Sequence, residues 1–310
     1  MTRSEAAPYE ACKGGAPPGS RAAAPFDLVG LTPLMRRTSG TSDLAVGLID
    51  GPVATGHPEL VAGNVREVTA TARAACTYPD SHACRHGTFV AGVLAGRRGS
   101  GAPAICPGCT LLVRPIFAET APGHGPMPTA SPEDLAEAIR AVVAAGASVV
   151  NISADLRWSS ARGCEALTQA LDDASRRGVI VVAAAGNQGL VGGSALTRHA
   201  SVVPVAACDV RGRLLSYSNL GATMARRGLR APGEGIVSLQ TAGRLLPVGG
   251  TSVSAPLVTG AIALLWSLFP TASAARIRHA LLAGAPRGLG VAPPLLDAWG
   301  AHRRLAAAGS

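Results

Sequence analysis

The sequence predicts an α/β fold in which a mainly parallel sheet is covered by helices on both faces. Short apolar runs rich in valine and isoleucine, such as residues 179–184, alternate along the chain with longer amphipathic segments. Alternating strands and helices are typical of parallel sheets, whose strands are apolar throughout because both faces are buried. No internal repeat is visible and no linker follows residue 40. We therefore expect one domain of this class.

Local signals place the individual elements. The first apolar run ends on Asp50, before the breaker Gly51-Pro52. Ser131 supplies a helix N-cap and Pro132 a first helical position. The predicted strands cover residues 43–50, 111–117, 147–153, 179–184, 201–208 and 214–217. The predicted helices cover residues 87–96, 132–145, 164–177, 251–269, 275–282 and 295–308.

Composition limits the partners and the location. The chain has 310 residues and a net charge of +9, but its arginines are scattered and no long basic run or aromatic-interleaved patch occurs. We therefore expect no nucleic-acid partner. No run reaches the roughly 20 apolar residues of a membrane span, so we expect no membrane contact. Residues 1–25, rich in Ala, Gly, Pro and Ser, predict a flexible tail without a signal peptide, followed by a folded domain over residues 26–310.

These features predict a cytoplasmic protein that folds without a prodomain, since residues 1–25 have too few large apolar side chains to form a core. Seven cysteines are an odd number, and we expect reduced thiols. Two alternatives are a disulfide within Cys76/Cys84 or within Cys106/Cys109, and a zinc site that joins the Cys106-x-x-Cys109 pair to Cys76, Cys84 and His82. Our primary expectation is no metal and no cofactor.

The stretch Gly249 to Pro256 lies in front of an apolar helix, which places Ser252 near a helix N-terminus. Backbone N–H groups there favour a developing negative charge, so Ser252 is a candidate nucleophile. The alternative is that Thr251 or Ser252 only caps the helix. Asp50, His86 and Asn187 each stand where a strand ends or a helix begins, and such positions gather at one edge of a parallel sheet. Together these four side chains have the types that serine catalysis requires.

Four motifs then resemble the signatures of the subtilisin-like serine proteases, in that family's order. They are Leu48-Ile-Asp50-Gly-Pro, His86-Gly-Thr88, Ala185-Gly-Asn187 and Gly250-Thr-Ser252-Val-Ser-Ala-Pro256. The resemblance implies a three-layer subtilisin-like fold and no role for Ser254 as nucleophile. It implies Asp50 as the orienting acid, His86 as the general base, Asn187 as the oxyanion donor and Ser252 as the nucleophile. It also implies a substrate-binding segment at Ser153, Ala154, Asp155 and Gly186.

Within that family the chain is most similar to the proteases that mature cyanobactin-type ribosomal peptides. Asp50-Gly51-Pro52-Val53 and Arg114-Pro-Ile-Phe117 are among the matching features. The resemblance implies a peptide substrate, namely a ribosomal precursor whose leader is cut off. Macrocyclising members carry a helical insertion between the acid and the base. Here only 36 positions separate Asp50 from His86, which is too few for it.

Residues 96–104 lack the carboxylates of a subtilisin calcium site. Because a hard cation needs several oxygen ligands, we expect no calcium to bind there. His57 matches a turn of the family and is not expected to be catalytic. The alternative functions are a general intracellular or secreted subtilase and a catalytically silent fold that acts as a binding partner. The presence of Asp50, His86, Asn187 and Ser252 argues against the last.

Overall fold

The computed structural model describes residues 24–61, 63–68, 76–117, 119, 130–153, 161–241, 243, 245–284 and 290–308. Residues 1–23, which make up almost all of the predicted tail, lie outside this part. The first helix begins at Ala24, two residues inside the predicted tail. Leu31 and Leu34 are fully buried, so the segment before the first strand packs on the domain.

The main sheet has seven strands, and every pair of neighbours in it is parallel. Its strands are β1 Ala45–Asp50, β2 Val65–Glu67, β3 Thr110–Pro115, β4 Ala147–Ile152, β5 Ile180–Ala184, β6 Val202–Cys208 and β7 Leu229–Pro232. They lie side by side in the order β2-β3-β1-β4-β5-β6-β7. A separate antiparallel pair is formed by β8 Ile236–Leu239 and β9 Leu245–Val248. The predicted mainly parallel α/β fold is confirmed.

The helices of the described residues fall into two groups by length. The longer ones are α3 His82–Ala95, α4 Pro132–Ala144, α5 Ala161–Arg176, α8 Thr251–Leu268, α9 Ala274–Leu282 and α10 Ala298–Ala307. The shorter ones are α1 Ala24–Leu28, α2 Leu31–Arg37, α6 Ala195–Arg198 and α7 Ala222–Arg227.

Two apolar cores lie on opposite faces of the sheet, and alternate residues of one strand enter them. On β5, Val182 joins the core with α3, α8 and α9, whereas Val181 joins the core with α4 and α5. Helix α8 is long and apolar enough to cross a membrane, but 78% of it is buried inside the fold. Its apolar sequence is therefore explained by its position in the core.

Strand β1 lies where the strand order reverses. Its neighbours are β3 on one side and β4 on the other. From β1 the chain continues to β2, beyond β3, whereas from β4 it continues to β5 in the opposite direction across the sheet. In open parallel sheets such a reversal opens a crevice beyond the carboxyl ends of the strands, and ligands bind there. Asp50 is the last residue of β1 and therefore stands at the mouth of this crevice.

Two sequence predictions about these elements were wrong. The helix predicted to start at Gly87 starts five residues earlier, because the Ser81 hydroxyl accepts a hydrogen bond from Cys84 N and caps it. His86 therefore lies within α3 and not ahead of it. The strand predicted over 214–217 is an isolated bridge between Leu214 and Cys208, because the Asp209 carboxylate closes a turn just before it.

Candidate active site

The carboxylate of Asp50 is completely buried at the carboxyl end of β1. Its Oδ1 accepts hydrogen bonds from the backbone N–H of Gly51 at 2.6 Å and from His86 Nδ1 at 2.7 Å. Its Oδ2 is buried and has no hydrogen-bond partner among the described residues. The carboxylate is thus hydrogen-bonded to the imidazole, which it holds in the tautomer with the proton on Nδ1.

Helix α3 brings His86 to Asp50 through a contact between two glycines. A Cβ on Gly87 would overlap the carbonyl oxygens of Gly51 and Pro52, and a Cβ on Gly51 would overlap the carbonyl oxygen of Ala83. Only glycine at both positions allows the helix to approach the end of β1 this closely. The neighbouring Thr88 hydroxyl accepts a hydrogen bond from Ala54 N and ties the helix to the loop after Asp50.

Ser252 is the second residue of α8, and its Oγ lies 2.9 Å from His86 Nε2. The three side chains of Asp50, His86 and Ser252 are therefore joined by two hydrogen bonds in series. Ser254 is fully buried, and its hydroxyl points back to Gly250 O at 3.5 Å, away from the imidazole. Among the two serines of the motif, only Ser252 is placed for activation by a base.

The pKa of His86 is governed by two opposing effects. Burial lowers it, because the charged imidazolium loses hydration, while the charge of Asp50 and its hydrogen bond raise it by more. The net pKa lies above the ordinary histidine value. Asp50 thus makes His86 a better proton acceptor.

Asn187 lies on the loop after β5, beside the start of α8. Its Oδ1 accepts a hydrogen bond from Thr251 N at 2.9 Å, which fixes the side chain and satisfies a helix-terminal donor. A Cβ built on Gly250 would lie 3.1 Å from Asn187 Nδ2 and 3.6 Å from Ser252 Oγ. The amide N–H group and the hydroxyl therefore face the same small space. Together with the backbone N–H of Ser252, the amide can donate to a negative oxygen formed there.

The predicted substrate-binding residues are only partly placed. Ser153 follows β4, is 7% exposed, and its hydroxyl accepts a hydrogen bond from Asn151 Nδ2 at 2.9 Å. Asn151 Oδ1 in turn accepts from Thr259 of α8 at 2.9 Å, so β4 and the serine helix are coupled. Gly186 precedes Asn187 and donates its N–H to Thr251 Oγ1 at 3.1 Å. Ala154 and Asp155 lie outside the described residues.

The cysteines correct one expectation. Cys76 and Cys84 form a disulfide, so reduced thiols were the wrong prediction for this pair. The alternative of a disulfide within Cys76/Cys84 is therefore the correct one for this pair. Cys106, Cys109, Cys164 and Cys208 are free. The hydrogen bond between Cys106 and Cys109 raises the pKa of Cys106 and lowers that of Cys109.

The ligands of the alternative zinc site do not come together. Within the described part of the chain, Cys76, Cys84 and Glu119 are the one group of at least three candidate ligands, and its two sulfurs are bonded to each other. Glu119 already accepts hydrogen bonds from Thr77 N, Tyr78 N and Ser81 Oγ.

His57 is buried, and its Nδ1 accepts from Glu59 N within its own turn.

Two residues of the site were missed. Thr251, considered only as a helix cap, donates its N–H to Asn187 and accepts from Gly186. Asn219 holds the loop that carries Asn187 by several side-chain hydrogen bonds. A lone asparagine in Tyr217-Ser-Asn-Leu220 has no local signal, because its partners lie about 30 residues earlier in the chain.

The fold and this site define a class of protein. It is the class of hydrolases in which a serine hydroxyl, an imidazole and a carboxylate are linked by hydrogen bonds at the carboxyl ends of parallel strands. Residues 41–300 match the profile of the Subtilase family. The chain belongs to this family and is a subtilisin-like serine endopeptidase.

Curated relatives include two bacterial enzymes. Subtilisin DY from Bacillus licheniformis is 29% identical over 246 residues, which are 77% of this chain and 82% of that protein. A thermophilic serine proteinase from Bacillus sp. (strain AK1) is 31% identical over 236 residues, 74% of this chain. The chain spans about half of that second relative, since the match covers 54% of its length.

Two solved structures are similar over nearly their whole length. The protease domain of PatA has a TM-score of 0.76 and 30% identity, with 87% of this chain and 97% of that one covered. The prenylagaramide maturation protease PagA has a TM-score of 0.77 and 27% identity, with 89% and 98% covered. The predicted similarity to maturation proteases of this group is confirmed.

Proposed function

We propose that this endopeptidase matures a ribosomally made precursor peptide by cutting its leader from its core. The observation that carries the proposal is the likeness to PagA, a maturation protease, which extends over 98% of that chain. The likeness to PatA at 30% identity supports the same conclusion. The 36 positions between Asp50 and His86 favour hydrolysis of the leader over macrocyclisation, for which an insertion at that place was expected.

In the proposed reaction, Ser252 Oγ attacks the scissile carbonyl carbon while His86 Nε2 takes its proton across the 2.9 Å hydrogen bond. Asp50 stabilises the resulting imidazolium through Nδ1. The negative oxygen of the tetrahedral intermediate is bound by Asn187 Nδ2 and the backbone N–H of Ser252. As the intermediate collapses, His86 gives the proton to the leaving amine. Water then hydrolyses the acyl-serine by the same route, with His86 again as the base.

A general peptidase of broad specificity is the second candidate. The similarity to subtilisin DY, which covers 82% of that protein, favours it. The two candidates differ in how the enzyme selects its substrate. A maturation protease cuts one bond of its own precursor, whereas a general subtilase cuts many unrelated chains.

The test is a competition between two substrates. The genes beside the one for this chain are searched for a short precursor peptide, which is synthesised and incubated with the enzyme together with an unfolded general substrate such as casein. Mass spectrometry should show one cut between leader and core, at a rate well above casein breakdown. The Ser252→Ala variant is the matched control and should show neither. Equal rates on both substrates, with scattered cuts in the precursor, would instead establish the general peptidase.

We also propose a cytoplasmic location, with no nucleic-acid or membrane partner, since the composition favours neither. The Cys76–Cys84 disulfide is the observation that counts against this location, because disulfides are rare in the cytoplasm. Fractionation of producing cells, with immunodetection of this chain, decides between the cytoplasm and an oxidising compartment.

A further inference from the structure

The loop after β5 that carries Asn187 is exposed. Residues 187–192 all face solvent, and the side chains of Leu190 and Val191 are 61% and 76% exposed. Packing of apolar side chains therefore contributes little to the position of this loop. Yet an oxyanion donor is effective only if its position is fixed before the reaction. The position of the loop must therefore be fixed by hydrogen bonds to residues outside it.

Asn219 supplies them on both sides of Asn187. Its Nδ2 donates to Ala185 O at 3.1 Å, just before Asn187, and to Gln188 Oε1 at 2.7 Å, just after it. Its Oδ1 accepts from Gln188 N at 3.2 Å and from Leu190 N at 2.9 Å. The amide of Asn219 thus uses its donor and its acceptor on the same short loop.

The backbone of Gly186 also contacts Asn219. Asn219 N donates to Gly186 O at 3.0 Å. Gly186 has φ 98°, and a Cβ on it would overlap Asn219 Nδ2. The loop therefore turns tightly around the asparagine amide, at a position where only glycine leaves room.

We propose that Asn219 is a positioning residue for the oxyanion hole. It holds the backbone of Asn187 from both sides, while Thr251 N holds the side-chain oxygen of Asn187. With both in place, Asn187 Nδ2 points to the space beside Ser252 Oγ. The side-chain hydrogen bonds of Asn219 go to the loop and not to Ser252, so Asn219 acts through Asn187. The proposal rests on the peptidase reaction at Ser252 and not on which peptide is cut.

The test is a double-mutant cycle on a peptide p-nitroanilide that the wild-type chain hydrolyses. Asn219→Ala should lower kcat by about 10- to 100-fold with KM changed less than about threefold, because a donor misplaced by about 1 Å loses most of its effect. In an Asn187→Ala background, the same substitution should lower kcat by less than about threefold, because the donor it positions is already gone.

Asn64→Ala is the matched control. Asn64 also ties a loop through its amide, with Nδ2 donating to Pro107 O at 2.8 Å, but it lies before β2, at the opposite end of the sheet. It should leave kcat within about threefold of wild type, as expected for a site outside the oxyanion hole. Equal losses of kcat from Asn219→Ala in both backgrounds would overturn the proposal, as would a loss below about threefold in the wild-type background.

If Asn219→Ala does not yield folded protein, Asn219→Asp runs the same cycle. Aspartate has the same shape and keeps both acceptor bonds, but it places a carboxylate oxygen against Ala185 O. Its loss of kcat should again disappear in the Asn187→Ala background. If the wild-type chain and the Asn219 variants cut the anilide at equal rates, the positioning role of Asn219 is rejected, but the peptidase function is not. Failure to cut the precursor peptide while the anilide is cut rejects the proposed substrate alone.

Discussion

Gly87 on helix α3 lies against Gly51, at the end of β1, so closely that a Cβ on either would overlap a backbone carbonyl oxygen. This contact sets the separation of the helix from the strand. It thereby sets the 2.7 Å distance between His86 Nδ1 and Asp50 Oδ1. The two residues flank the acid and the base in sequence, so their small size bears directly on catalysis.

Gly87→Ala should therefore reduce kcat by about 10²-fold or more, the scale expected when a catalytic group is displaced by about 1 Å. The added methyl group has no flexible neighbour to displace, since it meets backbone oxygens. Gly56→Ala is the control, because a Cβ at Gly56 meets no atom within 4 Å. Steady-state rates and circular dichroism of both variants check this. Wild-type rates in folded Gly87→Ala would show that the contact does not position His86.

The pH dependence of kcat/KM should report the raised pKa of His86. The base must be neutral to accept the proton of Ser252, so activity is present above this pKa and is lost as pH falls through it. Because Asp50 raises the pKa, the rising limb should lie above the ordinary histidine value. Asp50→Asn should shift the limb to lower pH and reduce kcat by about 10⁴-fold. An unshifted limb in this variant would mean that Asp50 does not control the imidazole.

A metal chelator should leave the melting temperature and activity unchanged. Arg98 lies within residues 96–104, the segment that lacks calcium-binding carboxylates, and its guanidinium already donates to the carbonyl oxygens of Met35, Thr38, Ala104 and Ile105. Its guanidinium thus gives these oxygens a cationic partner without a metal. Differential scanning calorimetry with and without chelator checks this. A drop of more than about 5 °C that calcium reverses would reveal a bound metal.

In the same experiment, Arg98→Met should lower the melting temperature by about 2–6 °C, from the loss of about 1–2 kcal/mol of hydrogen bonding. The adjacent Arg97→Met is the control, since among the described residues the side chain of Arg97 makes a single hydrogen bond, to Pro58 O at 3.5 Å. Equal effects of the two substitutions would show that Arg98 has no special role.

The Cys76–Cys84 disulfide closes a short loop directly before the helix that carries His86. Non-reducing digestion and mass spectrometry should recover one peptide that contains both cysteines linked. Reduction should lower the free energy of unfolding by about 2–3 kcal/mol, because the unfolded chain gains loop entropy. Cys164→Ser, a free thiol on α5, should have no such effect. Recovery of both cysteines as free thiols from protein purified without reductant would contradict the structure.

The four side chains at the centre of the site were predictable because each stands in a short motif with glycine or small neighbours. Asp50, Asn187 and Ser252 follow local rules: a strand end, the turn after a buried strand and a helix N-terminus. His86 was found through its His86-Gly-Thr88 motif, since the helix start predicted there was wrong. Their meeting follows from the parallel sheet, whose carboxyl ends share an edge.

What the sequence did not reveal depends on contacts between distant segments. The start of α3 at His82 was missed because its cap, Ser81, was not recognised. The role of Asn219 requires the loop after β5 to fold against the turn before α7. The strands β8 and β9 were also missed, since β9 carries Pro247 and is only four residues long.

The most direct test of the account is labelling with a fluorophosphonate, which reacts with an activated serine. Wild-type protein should be labelled on Ser252, and Ser252→Ala should not be labelled at all. Ser254→Ala should be labelled like wild type, because Ser254 is fully buried and bonded to Gly250 O. The site of labelling is identified by peptide mass spectrometry. Labelling that persists in Ser252→Ala, or that is found on Ser254, would contradict Ser252 as the nucleophile.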